Sequence, residues 1–510
     1  MSCLVSLCVS LWLVALAART SASPDEDINV LVVLPENNSY AFSISRVKPA
    51  IEYAKQGIKS RGGQFSQLNF NTKYVNSECG NNALFALVDE ACDARPDLIL
   101  GPVCEYAAAG VARVASHWNI PMISAGALAV AFDNKKPEYM HLTRIAPSYT
   151  KMSETFSSLF EHFEWKNAML IFDDDKEERN CYFTMEGVYN ILSSEGYTID
   201  PHPINSKEER LYADEIVKAI HSEVVVICAN GDIVREIMLA AHRRRLTNGS
   251  YIFFNIDLFN STAYGNGSWR RGDKYDNEAR AAYRVLNTVT LLRTVKPEFE
   301  NFTIELKKSV QKQGSHNCKD CDNVNMFIEG FHDALLLYAI ALHEAKKSGY
   351  SKRDGGQITH HMWNRTFEGI TGQVSIDLNG DREGDFSVMS MTDYEAGTYE
   401  TVLNYYGIDR SFQSLLPASD KFQLHGKQRT LTTQTDTGHA DMSSSGGLGV
   451  SAVTGIIVGA LLGTALLMAF YFFRKNYRIT IERRTQREEC NAGKHRQLRE
   501  DSIRSNFSTA

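Results

Sequence analysis

Between residues 24 and 410, apolar positions follow two alternating patterns: short unbroken runs, and longer runs spaced at three and four. The run Ile28–Leu34 predicts a buried strand and Val47–Ile58 a helix. Asp97–Leu100 is a second short strand, Tyr106–Trp118 an Ala-rich helix and Pro121–Ser124 a further strand. After Pro147 the rhythm restarts, with strands at Ala168–Phe172, Glu223–Cys228 and Tyr251–Ile256 and helices at Cys181–Ser194 and Asp232–Arg245. Such alternation implies parallel sheets covered by helices, and its repetition over about 400 residues implies two α/β lobes. Ligands of such sheets meet the carboxyl ends of strands, which marks Gly101–Cys104 and Ala229–Asp232 as candidate binding loops.

The remaining segments return to the lobes. Asn325–Lys347 is a periodic apolar helix, and Gly372–Asp393 forms two strands around the turn signal Asn379-Gly380-Asp381. The pattern fades beyond about Tyr406, which puts a stalk at 411–449; Gln428–Gly449, rich in Thr, Ser and Gly, is its most flexible part.

Both ends of the chain carry membrane signals. Leu4–Ala18 is apolar but short, and Ser21-Ala22-Ser23 supplies small residues for cleavage, so 1–23 reads as a signal peptide; an uncleaved anchor is the alternative. Val450–Phe473 is uncharged, and at about 1.5 Å per residue it spans roughly 36 Å, enough to cross a bilayer. Arg474, Lys475, Arg478, Arg483, Arg484 and Arg487 follow it, whereas Ser443–Gly447 precede it without a base. This asymmetry places 474–510 in the cytoplasm and the lobes outside the cell. Gly455, Gly459 and Gly463 share one face of the span and permit close helix packing in a dimer.

Residues 24–449 carry 43 Lys and Arg against 56 Asp and Glu, a net charge of −13. That sign argues against nucleic acid and suits a cationic extracellular ligand. Seven cysteines lie on the extracellular side, Cys79, Cys92, Cys104, Cys181, Cys228, Cys318 and Cys321. An odd number leaves at least one for an interchain bond or a free thiol, and spacing alone does not assign pairs. Asn37, Asn248, Asn260, Asn266, Asn301 and Asn364 each open a glycosylation triplet.

Enzyme and metal motifs fail on inspection. His343-Glu344 opens like a zinc-protease helix, but Lys347 replaces the second His. Asp377-x-Asn379-x-Asp381 opens like an EF-hand, but Arg382 stands where Gly belongs and Val388 where Glu belongs. There is no phosphate loop and no nucleophile elbow. Cys318-Lys-Asp-Cys321 has redox spacing but lacks a preceding strand, so a structural or interchain disulfide is the better reading. Arg271-Gly272-Asp273 is an adhesion tripeptide and supports the alternative reading, an adhesion or scaffold glycoprotein.

Longer matches are specific. They include Val47–Ala54, Cys79-Gly-Asn, LILGPVCEYAAA at Leu98–Ala109, RNCYFT at Arg179–Thr184, GSWRRGDK at Gly267–Lys274 and TVTLLRTVKPEFE at Thr288–Glu300. They continue with EGFHDALLLYA at Glu329–Ala339, WNRTFEGITGQVSID at Trp363–Asp377, the apolar span with Arg474-Lys475, and HRQLREDSIRS at His495–Ser505. On these segments the chain resembles the natriuretic peptide receptor family, in its type C clearance branch.

The resemblance implies a two-lobed ectodomain of the type I periplasmic-binding-protein fold over 24–410. It implies the disulfides Cys79–Cys104 and Cys181–Cys228, and a chloride ion near Ser77, Val103 and Cys104 where turn N–H groups form a nest. It implies that a basic peptide hormone lies between two receptor copies, against Tyr106, Tyr139, Tyr182, Phe183, Glu186, His202 and Ile204. Aromatics would supply apolar contact and Glu186 a partner for a ligand Arg. A tail of 37 residues leaves no room for a cyclase domain. Arg483, Arg484, His495, Arg496 and Arg499 resemble a segment that engages inhibitory G proteins, although attraction to anionic lipid explains the same bases.

Two features depart from the family. Ala440–Ser443 lacks the usual juxtamembrane Cys, while Cys92, Cys318 and Cys321 are additional candidates for an interchain bond. Tyr477-Arg-Ile-Thr480 lacks the bulky apolar residue of a tyrosine sorting signal, so internalisation rests on the resemblance. The expected protein is a dimeric single-pass receptor that clears natriuretic peptides and is not an enzyme.

Overall fold

The computed structural model describes residues 26–176, 178–206, 213–259, 267–292, 296–312 and 323–415. The signal segment 1–23, the rest of the stalk, the span 450–473, the tail 474–510, Asn260, Asn266, Cys318 and Cys321 lie outside the described residues.

The first lobe begins with β1 (Glu26–Leu34), α1 (Ile44–Ser60), β2 (Leu68–Asn76), α2 (Asn82–Asp93), β3 (Leu98–Leu100), α3 (Glu105–His117), β4 (Met122–Ser124) and β5 (Leu142–Pro147). Its strands are parallel in the order β5-β4-β3-β1-β2. Covered on both faces, β1 is apolar at consecutive positions: Ile28, Val30 and Val32 share one cluster with α1, Leu31 and Val33 another with α2 and α3.

The second lobe repeats this order. The chain runs through α4 (Tyr149–Phe163), β6 (Asn167–Asp173), α5 (Asn180–Ser194), β7 (Thr198–Ile204), α6 (Ala213–Lys218) and β8 (Val224–Cys228). It continues with α7 (Gly231–Arg243), β9 (Ile252–Ile256), α8 (Asp276–Ala282) and β10 (Leu286–Leu291). The parallel strands lie in the order β10-β9-β8-β6-β7. Ala168, Leu170 and Phe172 pack toward α4 and α5, whereas Met169 and Ile171 pack toward α6 and α7.

The chain then returns to each sheet. Helices α9 (Pro297–Lys312), α10 (Met326–Lys347) and α11 (Gly355–Met362) belong to the first lobe, followed by β11 (Arg365–Glu368), β12 (Gln373–Ile376) and β13 (Asp381–Arg382). Strand β13 runs parallel to β5, and β14 (Asp385–Asp393) then pairs antiparallel with β10 in the other lobe. β15 (Thr398–Tyr406) and β16 (Ser411–Ser414) complete the second sheet. The chain thus crosses between lobes three times, at Pro147–Tyr149, between Leu291 and Pro297, and at Arg382–Asp385. Lys151 reinforces the crossings by pairing with Asp377 and Glu383 at 3.2 and 2.9 Å.

Two sequence expectations change. The two strands expected in Gly372–Asp393 are three: β12 and β13 meet at Ile376 and Arg382, but Glu383 and Gly384 break the second strand and carry the chain to the other sheet. Strand β16, hydrogen-bonded to β15, extends the folded region to Leu415, past the expected boundary at 410. The helix α10 is long and apolar enough to cross a membrane, yet it is buried among α1, α11, β4 and β5. Asn325 caps it, accepting from the N–H groups of Phe327 and Ile328 at 3.0 and 3.2 Å. Its all-round apolarity reflects a core helix.

Candidate functional site

Tyr106 stands in the first turn of α3 and is 48% exposed, an unusual position for a large aromatic side chain. Its ring meets Phe183 edge-on with centroids 5.7 Å apart, and Phe183 meets Tyr182 at 5.4 Å. Tyr182 and Phe183 occupy the first turn of α5, so this platform joins the two lobes. Glu186 lies one turn beyond Tyr182, half-buried; burial pushes its carboxyl pKa up and the Arg179 charge pulls it back.

Two disulfides anchor the helices that carry the platform. Cys104 caps α3 and is bonded to Cys79, with Cα atoms 5.2 Å apart. Cys181 in α5 is bonded to Cys228 at the end of β8, at 5.4 Å. Both expected pairs are present.

Arg179, at the head of α5, opens the RNCYFT motif, and nothing in the local sequence pattern singles it out. Its backbone is left-handed, with φ of 56°. Its guanidinium lies 3.8 Å from the Tyr182 ring centroid, and Tyr182 in turn meets Phe183. Nε and Nη2 donate to the two carboxylate oxygens of buried Asp174 at 2.7 and 3.1 Å, which holds the Asp174 carboxyl below its ordinary pKa.

The other expected contact residues lie apart from this cluster. Tyr139 is buried, packed on Phe132 at 5.0 Å beneath the Arg113 guanidinium at 5.1 Å. Arg113 is two turns from Tyr106 on α3, roughly 10 Å along the axis. His202 and Ile204 pair with Ile171 and Asp173 on the edge strand β7, so they point to the α6 and α7 face, opposite to α5. Ile204 is buried in that core.

Beside the first disulfide, Ser77 is fully buried and its Oγ has no hydrogen-bond partner. The neighbouring turn is closely packed. Gly101 has φ of 80°, and a Cβ there would stand 2.5 Å from the Val33 carbonyl oxygen; one on Gly126 would stand 2.4 Å from that of Val103. Glu105 accepts from the N–H groups of Leu128 and Ala129 at 3.0 and 3.2 Å. Burial pushes its carboxyl up to about 7, against those hydrogen bonds and the Arg144 charge.

A cavity of about 380 Å³ lies between the lobes at the strand ends of the second sheet, lined by Tyr40, Asp173, Ala229, Asn230, Asn255 and Asp257 among others. Of the two loops expected there, Ala229–Gly231 line it, whereas Gly101–Cys104 turns into α3. Asn37, Asn248, Asn301 and Asn364 are all exposed, and Cys92 is an exposed free thiol.

The adhesion tripeptide is engaged internally. Arg235 binds both carboxylate oxygens of Asp273 at 2.8 and 2.9 Å, and Arg271 binds Asp232 at 2.9 Å. Asp381, the third residue of the EF-hand-like triplet, is likewise held by Lys135 and Arg144, each at 2.7 Å.

The fold and the platform define a class before any particular relative. The family described as the receptor family ligand binding region matches residues 46–393. A leucine-binding protein, LivK, of Thermotoga maritima has a similar structure, with a TM-score of 0.51 at 14% identity over 75% of this chain and 99% of that one. This is the two-lobed periplasmic-binding-protein fold used as a receptor ligand-binding region. The chain is 57% identical over 497 residues to atrial natriuretic peptide receptor 3 of Mus musculus, covering 95% of this chain and 92% of that protein. It is 56% identical over 501 residues to the receptor of the same name in Homo sapiens, covering 96% and 92%. The chain belongs to the natriuretic peptide receptor family.

Proposed function

We propose that the chain is a single-pass cell-surface receptor, N-terminus outside, that grips one natriuretic peptide between two copies and removes it by internalisation. Further signalling runs through inhibitory G proteins and the segment with Arg483, Arg484, His495, Arg496 and Arg499, without guanylyl cyclase activity. The observation that carries hormone binding is the exposed Tyr106, edge-on to Phe183 beside Glu186. An aromatic surface with one adjacent carboxylate suits a peptide that offers apolar and Arg side chains. The excess of acids over bases in 24–449 favours the approach of a cationic hormone.

A bound chloride belongs to this reading. The buried, unpartnered Ser77 hydroxyl can donate to an anion, with Val103 and Cys104 supplying turn N–H groups beside it. The ion would hold the Cys79–Cys104 corner from which Tyr106 projects.

Titration of the purified full chain with natriuretic peptide tests the proposal. Saturable binding with one peptide per two chains is expected, and its absence would sink the reading. Cell attachment lost in Asp273→Glu would revive adhesion instead.

A further inference from the structure

We propose that Arg179 is the positioning residue of the peptide site, holding Tyr182 directly and, through Phe183, setting the ring against which Tyr106 of the other lobe packs. The inference rests on the hormone-binding reading above. Two contacts converge on this side chain, the Tyr182 face at 3.8 Å and the Asp174 carboxylate at 2.7 and 3.1 Å, and Tyr182 passes the constraint to Phe183, whose ring meets Tyr106. A bidentate carboxylate fixes the guanidinium plane, and the fixed plane then fixes the ring stacked on it.

The backbone is arranged for the same purpose. A left-handed conformation is costly for Arg, and here the main chain is held on both sides: Arg179 N–H donates to Asp175 Oδ1 at 2.9 Å and its carbonyl accepts from Phe183 N–H at 3.0 Å. The second of these bonds ties the residue directly to the platform. Lys176 also pairs with Asp174, adding a second cation to the anchoring carboxylate.

Arg179 acts on Glu186 as well. Its positive charge favours ionised Glu186, opposing burial. A plain helix-start role for Arg179 would explain the Asp174 pair but not the guanidinium placed over the face of Tyr182.

Hormone binding by the full chain in membranes distinguishes these roles. Saturable binding by wild type is the prior condition; its failure refutes the hormone reading itself. Given that binding, Arg179→Ala should weaken affinity by about tenfold or more. The same change in a Tyr182→Ala background should weaken it far less, and Arg179→Lys should recover part of the loss. Equal losses in both backgrounds, or unchanged affinity in Arg179→Ala, would overturn the proposal. Should Arg179→Ala fail to reach the cell surface, Asp174→Asn serves in the same cycle, with a Tyr182-dependent loss expected and an independent one refuting it.

Discussion

Arg144 and Asp381 stand 237 positions apart in sequence, yet Arg144 Nε donates to Asp381 Oδ1 at 2.7 Å within the first lobe, where both side chains are buried. The pair joins β5 to β13, and Lys135 and Asn379 complete the carboxylate's partners at 2.7 and 2.9 Å. Asp381→Asn leaves two buried cations short of an anion and should cost about 3–5 kcal/mol, read from the urea midpoint. The Arg144 and Lys135 charges hold this carboxyl well below the ordinary carboxylate range, against desolvation. Its stabilisation is therefore present above the unfolded value of about 3.9 and is lost as pH falls toward the folded one. The variant should lack that acid-dependent loss.

Glu105 has the opposite sign. Its folded pKa is raised by burial from 4.5 to about 7, so its contribution is complete below 4.5 and is lost as pH rises through 7. Glu105→Gln cannot ionise, and its oxygen can still accept from Leu128 or Ala129. Its stability should gain on wild type between those two pH values, by on the order of 3 kcal/mol of unfolding free energy at the upper end, read from the urea midpoint.

Ser77 offers the test of the anion. Replacing chloride by gluconate at constant ionic strength should lower the wild-type Tm and hormone affinity. Ser77→Val, with no hydroxyl to offer, should respond much less. An equal response in both proteins would remove Ser77 from the site.

Glu186→Gln keeps the shape of α5 but removes the charge. Affinity for natriuretic peptide should fall about tenfold or more, and its dependence on salt should flatten. Binding measured across ionic strength separates this from a change in folding, which would leave the salt slope in place.

The strands buried on both faces were legible because each is an unbroken apolar run: β1, β3, β6, β8 and β9 lie within a residue or two of their expected bounds. The edge strands were not. β2 alternates polar and apolar residues, and β7 contains Pro201 and Pro203, tolerated because an edge strand leaves backbone groups unpaired. The break at Gly384 escaped because a local turn signal at Asn379–Asp381 says nothing about which sheet the next residues join.

Within the site, Tyr106, Tyr182, Phe183 and Glu186 were located by resemblance and do lie together. His202 and Ile204 are separated from them by the thickness of the sheet, which β7's parity decides and its unrecognised strand concealed. Arg179 depends on a left-handed backbone and on Asp174 across a charged loop, neither of which periodicity can express.

The three crossings also impose a schedule on biosynthesis. When the ribosome has delivered residues up to Leu291, each lobe holds five parallel strands, and both disulfides can already close, across separations of 25 and 47 residues. The core helix α10 and the strands β11–β16 arrive afterwards and must be inserted into two waiting half-domains, at high sequence separation and correspondingly slowly. Both disulfides thus join residues that precede every element of the late-arriving half, so neither needs α10 or β11–β16 in place to form.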